Sequence, residues 1–338
     1  MDLPVPNPLK PMLARAEREV PEGDLLYEPK WDGFRCLVFR DGAELLLQSR
    51  NGRRLTRYFP ELVDPLLEQL PDRCVLDGEL VVVGPAGLDF ELLSDRIQPS
   101  AGQIARRSGV SPASYVAFDL IALDDRDLRD DPLRERRALL ADLLAEARAP
   151  LHLTPSTDDP DRARAWFDRF VGAGFDGVVA KPLDGTYVSD KRVQIKVKHH
   201  RTIECVVGGY VPHKDGGVGS LLLGLLGGAP PTLRRTGACS AFSSAKRRTM
   251  AAELSSHVVD EVDHPWSAGD DAPDAGWVPL DCSLVVEVTC ENADDGVLRH
   301  PARFVRWRPD RSPGSCSVDQ LDAPTPVEFT ELFGQSDA

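Results

Sequence analysis

The chain changes character near residue 200, and this break constrains its fold more than any other feature. Before it, amphipathic helical patterns alternate with short apolar runs; after it, short apolar runs alternate with glycine-rich turns such as HKDGGVGS and LLGGAPP. Helical periodicity nearly vanishes in the second part, which is typical of a small β domain. A length of 338 residues also favours roughly two domains. We therefore predict a mixed α/β domain over residues 1–200 and a β domain over residues 201–338, an α+β chain overall.

Composition excludes several classes of protein. Hydrophobic residues make up 42% and charged residues 28% of the chain, as in ordinary globular proteins, so a disordered or fibrous chain does not fit. We expect no membrane association and a cytoplasmic location, because no apolar stretch approaches the roughly 18 residues of a membrane helix and the first residues do not resemble a signal peptide. The seven cysteines are an odd, scattered set without a Cys-x-x-Cys pair, so they are interpreted as reduced thiols.

The net charge of −14 would by itself argue against a nucleic-acid partner. Two local stretches of the chain nevertheless carry a net positive charge. Residues 191–201 (KRVQIKVKHHR) hold five basic side chains and no acid, and residues 299–311 (RHPARFVRWRPDR) hold five arginines and one aspartate. Phosphate binding requires a local positive field rather than a positive total, so both stretches are candidate phosphate sites.

Local patterns predict the elements that carry these side chains. Two apolar runs joined by Asp41-Gly42 predict a tight hairpin. Further strands are predicted over residues 74–83, 114–122, 176–181 and 193–198, and helices over 133–147, 160–173 and 243–257.

The segment YEPKWDGFR places Lys30 at the end of a strand, just before Asp32-Gly33. One interpretation is a surface lysine that precedes a turn. The other is a nucleophilic amine, which attacks phosphorus only when it is neutral and therefore needs neighbouring cations or burial to lower its pKa. Lysines 181, 196 and 198 supply such cations if their strands converge on Lys30.

Acidic residues on apolar strands form the second candidate group. Asp77 and Glu79 are two residues apart and share one face of their strand. Two acids on such a face suit a metal ion or a hydroxyl-rich ligand, although an exposed edge strand remains the alternative. Asp176 and Lys181 bracket another apolar strand. On the next strand, Gln194, Lys196 and Lys198 share one face, which indicates either phosphate ligands or a solvated edge.

Taken in order, these motifs resemble the nucleotidyltransferase motifs of ATP-dependent DNA ligases, and the resemblance extends from about residue 10 to residue 311. It is strongest to the short bacterial two-domain type. The matching segments are Lys30-Trp31-Asp32-Gly33-Phe34-Arg35, Ser49-Arg50-Asn51-Gly52, Asp77-Gly78-Glu79, Phe118, Asp176 to Lys181, Lys196-Val197-Lys198 and the arginine-rich run to Asp310.

The resemblance implies a role for each matching position that faces the nucleotide. Lys30 would take AMP from ATP as a covalent phosphoramide, Glu28 would accept a hydrogen bond from the adenine amino group, and Phe118 would stack on the base. Glu79 would bind the ribose hydroxyls, and Asp32 would lie near the ribose. The α-phosphate would be held by Lys196 and Lys198, and Lys181 would also belong to the nucleotide-binding site.

The resemblance also implies a metal ion and a DNA substrate. Mg²⁺ or Mn²⁺ would be bound near Asp77, Glu79 and Asp176 and would neutralise phosphate charge. The 5′-phosphate of nicked duplex DNA would be held by Arg35 and Arg50. The last motif, which orients pyrophosphate in this family, would use Arg303, Arg306, Arg308 and Asp310.

As a whole, the resemblance implies an ATP-grasp-like adenylation domain followed by a C-terminal β-barrel OB-fold. The protein would be a monomeric enzyme of bacterial DNA repair or recombination that acts beside the nucleoid. Three positions depart from the family pattern: Asp176 replaces the usual Glu, Gln194 stands where an aromatic residue is common, and Arg311 replaces the usual Lys.

Two alternative functions remain open from the sequence. An RNA ligase or a GTP-using mRNA capping enzyme shares the lysine motif, although Glu28 as an acceptor for an amino group disfavours guanine. A non-catalytic OB-fold nucleic-acid binder with a degenerate first domain is the other alternative. The presence of Lys30, Glu79, Lys196 and Lys198 argues against it.

Overall fold

The computed structural model describes residues 1–84, 87–97, 100–169, 175–198, 201–267, 269, 271–274, 276–290, 293–294 and 296–321. The chain divides into two compact units, Met1–His199 and His200–Asp322, which are described separately. Among the described residues, no helix is both long and apolar enough to span a membrane.

The first unit contains both helices and strands. Its strands are β1 (Leu13–Glu17), β2 (Leu25–Trp31), β3 (Phe34–Asp41), β4 (Glu44–Ser49), β5 (Arg73–Gly84), β6 (Gly87–Leu88), β7 (Ala113–Leu123), β8 (Arg126–Asp127), β9 (Leu151–Leu153), β10 (Phe175–Pro182) and β11 (Arg192–Lys198). Its helices are α1 (Val63–Gln69), α2 (Phe90–Ser94), α3 (Ala101–Val110), α4 (Leu133–Leu143) and α5 (Pro160–Arg169).

Two sheets organise this unit. The smaller sheet has the order β1-β11-β10-β2, and the larger has the order β4-β3-β5-β7-β8. One face of the smaller sheet is apolar, and its Tyr27, Val178 and Ile195 pack with Ala163 of α5. The larger sheet packs against α1 and α4 through a cluster that includes Leu76. The smaller sheet therefore leaves its other face available for polar side chains, whereas the larger sheet also packs part of its second face against the N-terminal residues 3–12.

The predicted hairpin is confirmed, since β3 and β4 pair with Asp41 opposite Glu44 and Gly42 adopts a φ of +59°. The strands predicted at 74–83, 114–122, 176–181 and 193–198 are present as β5, β7, β10 and β11. The prediction that the first long helix reaches residue 147 is wrong. That helix, α4, ends at Leu143, because the chain must turn there to place Leu151 beside Tyr115 of β7.

The second unit is rich in strands, as predicted. Its strands are β12 (Arg201–Pro212), β13 (Val218–Gly227), β14 (Thr232–Ser240), β15 (Val278–Pro279), β16 (Val285–Cys290), β17 (Ala293–Asp294), β18 (Val297–Leu298) and β19 (Ala302–Trp307), and its helix is α6 (Ser244–Leu254). The helix predicted over 243–257 is therefore present but ends at Leu254, where a 3₁₀ turn follows.

The strands of the second unit form a barrel. They pair in the order β13-β14-β19-β16-β12, and β12 also pairs with β13, so that the pairing runs around a ring. The ring is weakest between the parallel strands β14 and β19, which share only Cys239↔Ala302 and Ser240↔Arg303. A partly open barrel of this kind is an OB-fold. Its interior includes Val206, Leu223 and Val286, with Met250 of α6 packed against them.

Candidate active site

A cavity of about 470 Å³ lies in the first unit and is lined by residues of both sheets. The smaller sheet contributes Glu28, Lys30, Lys181 and Lys196 to its lining. The larger sheet and the turn after β4 contribute Arg35, Arg50, Glu79 and Phe118. Eight predicted site residues that are far apart in the sequence therefore surround one space.

Strand periodicity explains why the smaller sheet presents so many polar groups to this cavity. Register pairs place Val179 of β10 opposite both Glu28 of β2 and Lys196 of β11, so these positions share one face. Alternate residues extend the same face to Lys30 and Gln194. The opposite face is the apolar one that packs on α5, which leaves the polar face for the cavity.

Lys30 is positioned by the residues on its C-terminal side. Trp31 is buried, and its Nε1–H donates to Thr154 Oγ1 at 2.9 Å. At Gly33, a Cβ atom would lie 2.2 Å from the carbonyl oxygen of Leu80, so no larger residue fits without moving β5. The turn can therefore approach β5 closely, and it holds the lysine at the edge of the cavity.

Glu28 and Lys181 form a buried ion pair beside Phe118. Lys181 Nζ lies 2.6 Å from Glu28 Oε2, and both side chains are almost fully buried. Lys181 Nζ also lies 4.3 Å from the centroid of the Phe118 ring. The second carboxylate oxygen of Glu28, Oε1, is buried and has no hydrogen-bond partner among the described residues. The cavity therefore presents an acceptor that a ligand donor could satisfy.

Phe118 is directed at the cavity by a β-bulge. On β7, Ala117 pairs with Gly78 and Asp119 pairs with Asp77, so Phe118 is the extra residue between two successive pairs. A bulge bends its strand and redirects the side chain that it carries. The guanidinium carbon Cζ of Arg35 lies 4.5 Å from the centroid of the ring, so cations as well as a base can approach this aromatic group.

Arg35 is held by Asp77, and Asp77 by a tyrosine that the sequence analysis did not identify. Arg35 donates from Nε and Nη2 to the two carboxylate oxygens of Asp77, at 2.6 Å each, and Asp77 is fully buried. The Tyr187 hydroxyl donates to Asp77 Oδ2 at 2.6 Å and accepts from the backbone N–H of Met12 at 3.2 Å. Both oxygens of Asp77 are thus engaged by protein donors, which favours a role in positioning Arg35 over the predicted metal contact.

Glu79 lines the cavity opposite Arg35, its register partner on β3. Burial raises the pKa of Glu79 to about 8, with Asp77 and Asp32 acting in the same direction and the cations Arg35 and Lys30 opposing them. A ligand cation or hydroxyl group near this carboxylate would favour its charged form.

Comparisons with known proteins identify the family to which these motifs belong. Residues 10–198 match the model of the ATP dependent DNA ligase domain, and residues 214–311 match that of the ATP dependent DNA ligase C terminal region. The chain belongs to the ATP-dependent DNA ligases. This membership does not favour the capping-enzyme and non-catalytic alternatives.

Relatives and solved structures agree with this family. The ligase is 48% identical to DNA ligase C2 of Mycolicibacterium smegmatis, covering 96% of this chain and 97% of that protein. It is 45% identical to DNA ligase C of Mycobacterium tuberculosis, covering 98% and 99%. The crystal structure of the ligase domain from M. tuberculosis LigD matches with a TM-score of 0.50 and 31% identity, covering 92% of this chain and 98% of that one.

Other predicted residues of the ligase lie outside the cavity lining. Asp32 is half-buried in the turn after β2, and Lys198 shares the polar face of β11 at its C-terminal end. Asp176 belongs to β10, but its side chain is outside the described residues. The following Gly177 has a φ of +134°, and a Cβ there would lie 1.9 Å from the carbonyl oxygen of Val197. The glycine at this position is thus explained by the close approach of β10 to β11.

The predicted phosphate-binding arginines of the second unit differ from one another in their surroundings. Arg308 forms ion pairs with Glu204, with Glu287 at 3.1 Å, and with Asp310 at 2.8 Å. The charge and hydrogen bonds of Arg308 hold the pKa of Asp310 at about 2. Arg303, by contrast, is exposed on β19. Arg308 is therefore built into an acidic network, whereas Arg303 projects into solvent.

The cavity has two further cationic residues to which the sequence gave no individual role. Arg15 of β1 and Arg192 of β11 both belong to its lining. β1 runs parallel to β11 and pairs Ala14 with Gln194. The pairing of an N-terminal strand with a strand about 180 positions later leaves no local signal, so only the folded sheet reveals these contributions.

The donor set fits a magnesium ion that is held largely by the nucleotide. Among the described residues no group of three or more Asp, Glu, His or Cys side chains could enclose a metal ion. Mg²⁺ usually retains several waters and takes one or two carboxylates together with substrate phosphates. Glu79 supplies one carboxylate at the cavity, and Asp32 lies close enough to raise its pKa.

Proposed function

We propose that this ATP-dependent DNA ligase seals nicks in duplex DNA through a covalent lysyl-AMP, with Lys30 as the nucleophile. The observation that supports this most directly is the position of Lys30 in one cavity with Glu28, Phe118 and Lys196. In this site Lys30 would attack the α-phosphorus and Lys196 would stabilise charge on the same phosphate. Glu28 would bind the amino edge of the base, and Phe118 would stack on its π face. A surface lysine before a turn has no reason to lie in such a cavity.

The reaction consists of three transfers. The neutral amine of Lys30 attacks the α-phosphorus of ATP, the N–P bond forms, and pyrophosphate leaves. An oxygen of the DNA 5′-phosphate then attacks the same phosphorus, and the N–P bond breaks to return the amine. The 3′-hydroxyl finally loses its proton and attacks the 5′-phosphate, which expels AMP and completes the phosphodiester.

The protein contributes positioning and positive charge to these steps. Lys196 stabilises charge on the α-phosphate, and Arg35 and Arg50 hold the 5′-phosphate of the nick. Glu79 binds the ribose hydroxyls, and it would supply one carboxylate to Mg²⁺, which would neutralise phosphate charge. Asp77 keeps Arg35 in place. Because its substrate is DNA, we place the enzyme in the bacterial cytoplasm beside the nucleoid. We further propose that it acts as a monomer.

The test is to follow label from ATP into protein and DNA. The wild-type ligase should become labelled by α-³²P ATP and should seal a nicked DNA duplex, whereas Lys30→Ala should do neither, because the N–P bond cannot form. Lys10→Ala removes a lysine from a surface ion pair with Asp190 and should behave as the wild type. Labelling of Lys30→Ala at the wild-type rate would overturn the assignment.

A further inference from the structure

Gln194 is a buried polar residue of the cavity to which the proposed chemistry gives no role. It lies on β11 two residues before Lys196, lines the cavity and is 2% exposed. Its amide nitrogen Nε2 is buried and has no hydrogen-bond partner among the described residues. Leaving a buried amide without a partner is unfavourable, so such a group requires an explanation. A ligand that brings an acceptor into the cavity would provide one.

A second buried group in the same cavity has the complementary property. Glu28 uses Oε2 for its ion pair with Lys181, while its Oε1 is buried and lacks a partner among the described residues. Gln194 and Glu28 lie on β11 and β2, on either side of β10, and both belong to the polar face of the sheet. The cavity thus offers one unused donor and one unused acceptor.

We propose that Gln194 is a specificity-determining residue that reads the adenine ring of ATP. Its Nε2–H donates to one of the two unprotonated ring nitrogens that flank the 6-amino group, N1 or N7, while Glu28 Oε1 accepts from the amino group itself. Guanine would place a carbonyl oxygen against the Glu28 carboxylate. This inference rests on the proposed function, because it takes the cavity as the ATP site.

The first experiment measures ATP binding at equilibrium by calorimetry in EDTA, where no adenylate forms. Gln194→Leu should bind ATP about tenfold more weakly than the wild type, the effect of losing one hydrogen bond to a neutral group. Its melting temperature without nucleotide should be equal or higher, because the buried amide has been removed. Gln69→Leu, which makes the same change on α1 outside the cavity lining, should leave ATP binding unchanged.

The second experiment identifies the atom by removing it from the ligand. Wild-type enzyme should bind either 1-deaza-ATP or 7-deaza-ATP about tenfold more weakly than ATP, and for that one analogue Gln194→Leu should cause no further loss. If Gln194→Leu weakens ATP and both analogues by the same factor, the amide does not read a ring nitrogen. The proposal is also overturned if Gln194→Leu binds ATP as tightly as the wild type.

Two further variants keep the outcome interpretable. Gln194→Glu preserves size but replaces the donor with an acceptor, so it should bind ATP more weakly than Gln194→Leu; tighter binding would contradict the proposal. Glu28→Ala distinguishes a wrong role for Gln194 from a wrong assignment of the cavity as the adenine site. If it weakens ATP binding while Gln194→Leu does not, only the role of Gln194 is wrong. If neither variant changes ATP binding, the cavity is not the adenine site and the proposed function of these residues fails with it.

Discussion

The Arg35 guanidinium is held by a series of hydrogen bonds that begins at the backbone of the N-terminal segment. Met12 N–H donates to the Tyr187 hydroxyl, the hydroxyl donates to Asp77, and Asp77 accepts two hydrogen bonds from Arg35. Each member is buried or half-buried, so losing one removes a hydrogen bond from each of its neighbours. The phosphate-binding geometry that we assign to Arg35 therefore depends on residues that touch no substrate.

This dependence predicts the effect of Tyr187→Phe. The substitution should lower the free energy of unfolding by about 1–3 kcal/mol and slow AMP transfer to a nick about tenfold, because Arg35 becomes less well oriented. Single-turnover transfer from pre-adenylated enzyme to nicked DNA measures this rate. Tyr58→Phe removes a surface hydroxyl that bonds to Arg57, and it should change neither quantity. Wild-type transfer by Tyr187→Phe would show that Arg35 does not depend on this series.

His152 on β9 predicts how stability changes with pH. Burial lowers its pKa from 6.5 to about 4. Because the folded-state pKa lies below the unfolded one, the stability that the neutral ring contributes is complete above pH 6.5 and is lost as the pH falls toward 4. The free energy of unfolding should fall by about 3 kcal/mol more in the wild type than in His152→Gln over this window. Urea titrations at a series of pH values measure this difference. If the free energy of unfolding changes with pH equally in the two proteins, the lowered pKa of His152 is contradicted.

Among the structural elements, strands rather than helices position the site. Alternation along β2, β10 and β11 directs one set of side chains at α5 and the other at the cavity, while the bulge at Phe118 adds an aromatic group from the larger sheet. Strands are suited to this task because their period of two separates a packing face from a binding face over a few residues.

The close approach of the β2–β3 turn to β5 predicts the effect of a substitution at Gly33. Gly33→Ala should destabilise the first unit by about 1–3 kcal/mol and reduce adenylation, because its Cβ would lie 2.2 Å from the Leu80 carbonyl oxygen and the turn carrying Lys30 must shift. Gly109→Ala in α3 is the control, since a Cβ there meets nothing within 4 Å and alanine favours a helix. Thermal unfolding and ATP labelling of both variants decide the matter. Full labelling and stability of Gly33→Ala would refute this account of the turn.

For the whole molecule, the division into two units separates the residues that hold the nucleotide from the arginines of the last motif. The cavity belongs entirely to the first unit, whereas Arg303 and Arg308 belong to the OB-fold. Pyrophosphate leaves only in the first transfer, so residues that orient it should matter for ATP and not for a nick that already carries AMP.

Arg303→Ala should therefore slow adenylation by ATP by at least tenfold and leave the sealing of a pre-adenylated nick largely intact. Arg308→Ala should slow adenylation too, but it should also lower the melting temperature of the OB-fold, because Glu204 and Glu287 lose a shared cation. Three measurements distinguish the two variants: the rate of adenylation by ATP, the rate of sealing of pre-adenylated nicked DNA, and the melting curve. An equal fall in both rates for Arg303→Ala would mean that this arginine binds DNA.

The sequence by itself determined the class of each domain, the main strands and the order of the motifs, because these depend on short-range periodicity and on residues within a few positions of one another. Local rules predict the hairpin at Gly42 and the shared strand face of Gln194 and Lys196. They also predict that Lys30 and Glu79 lie on strands. Only the tertiary structure decided which of the motif side chains form hydrogen bonds or ion pairs within the protein. Asp77 and Glu79 belong to one sequence motif. In the folded protein, however, Asp77 is hydrogen-bonded to Arg35 and Tyr187, whereas Glu79 lines the cavity. Hydrogen-bond partners lie up to 175 residues apart in this network, and no local pattern encodes contacts of that range.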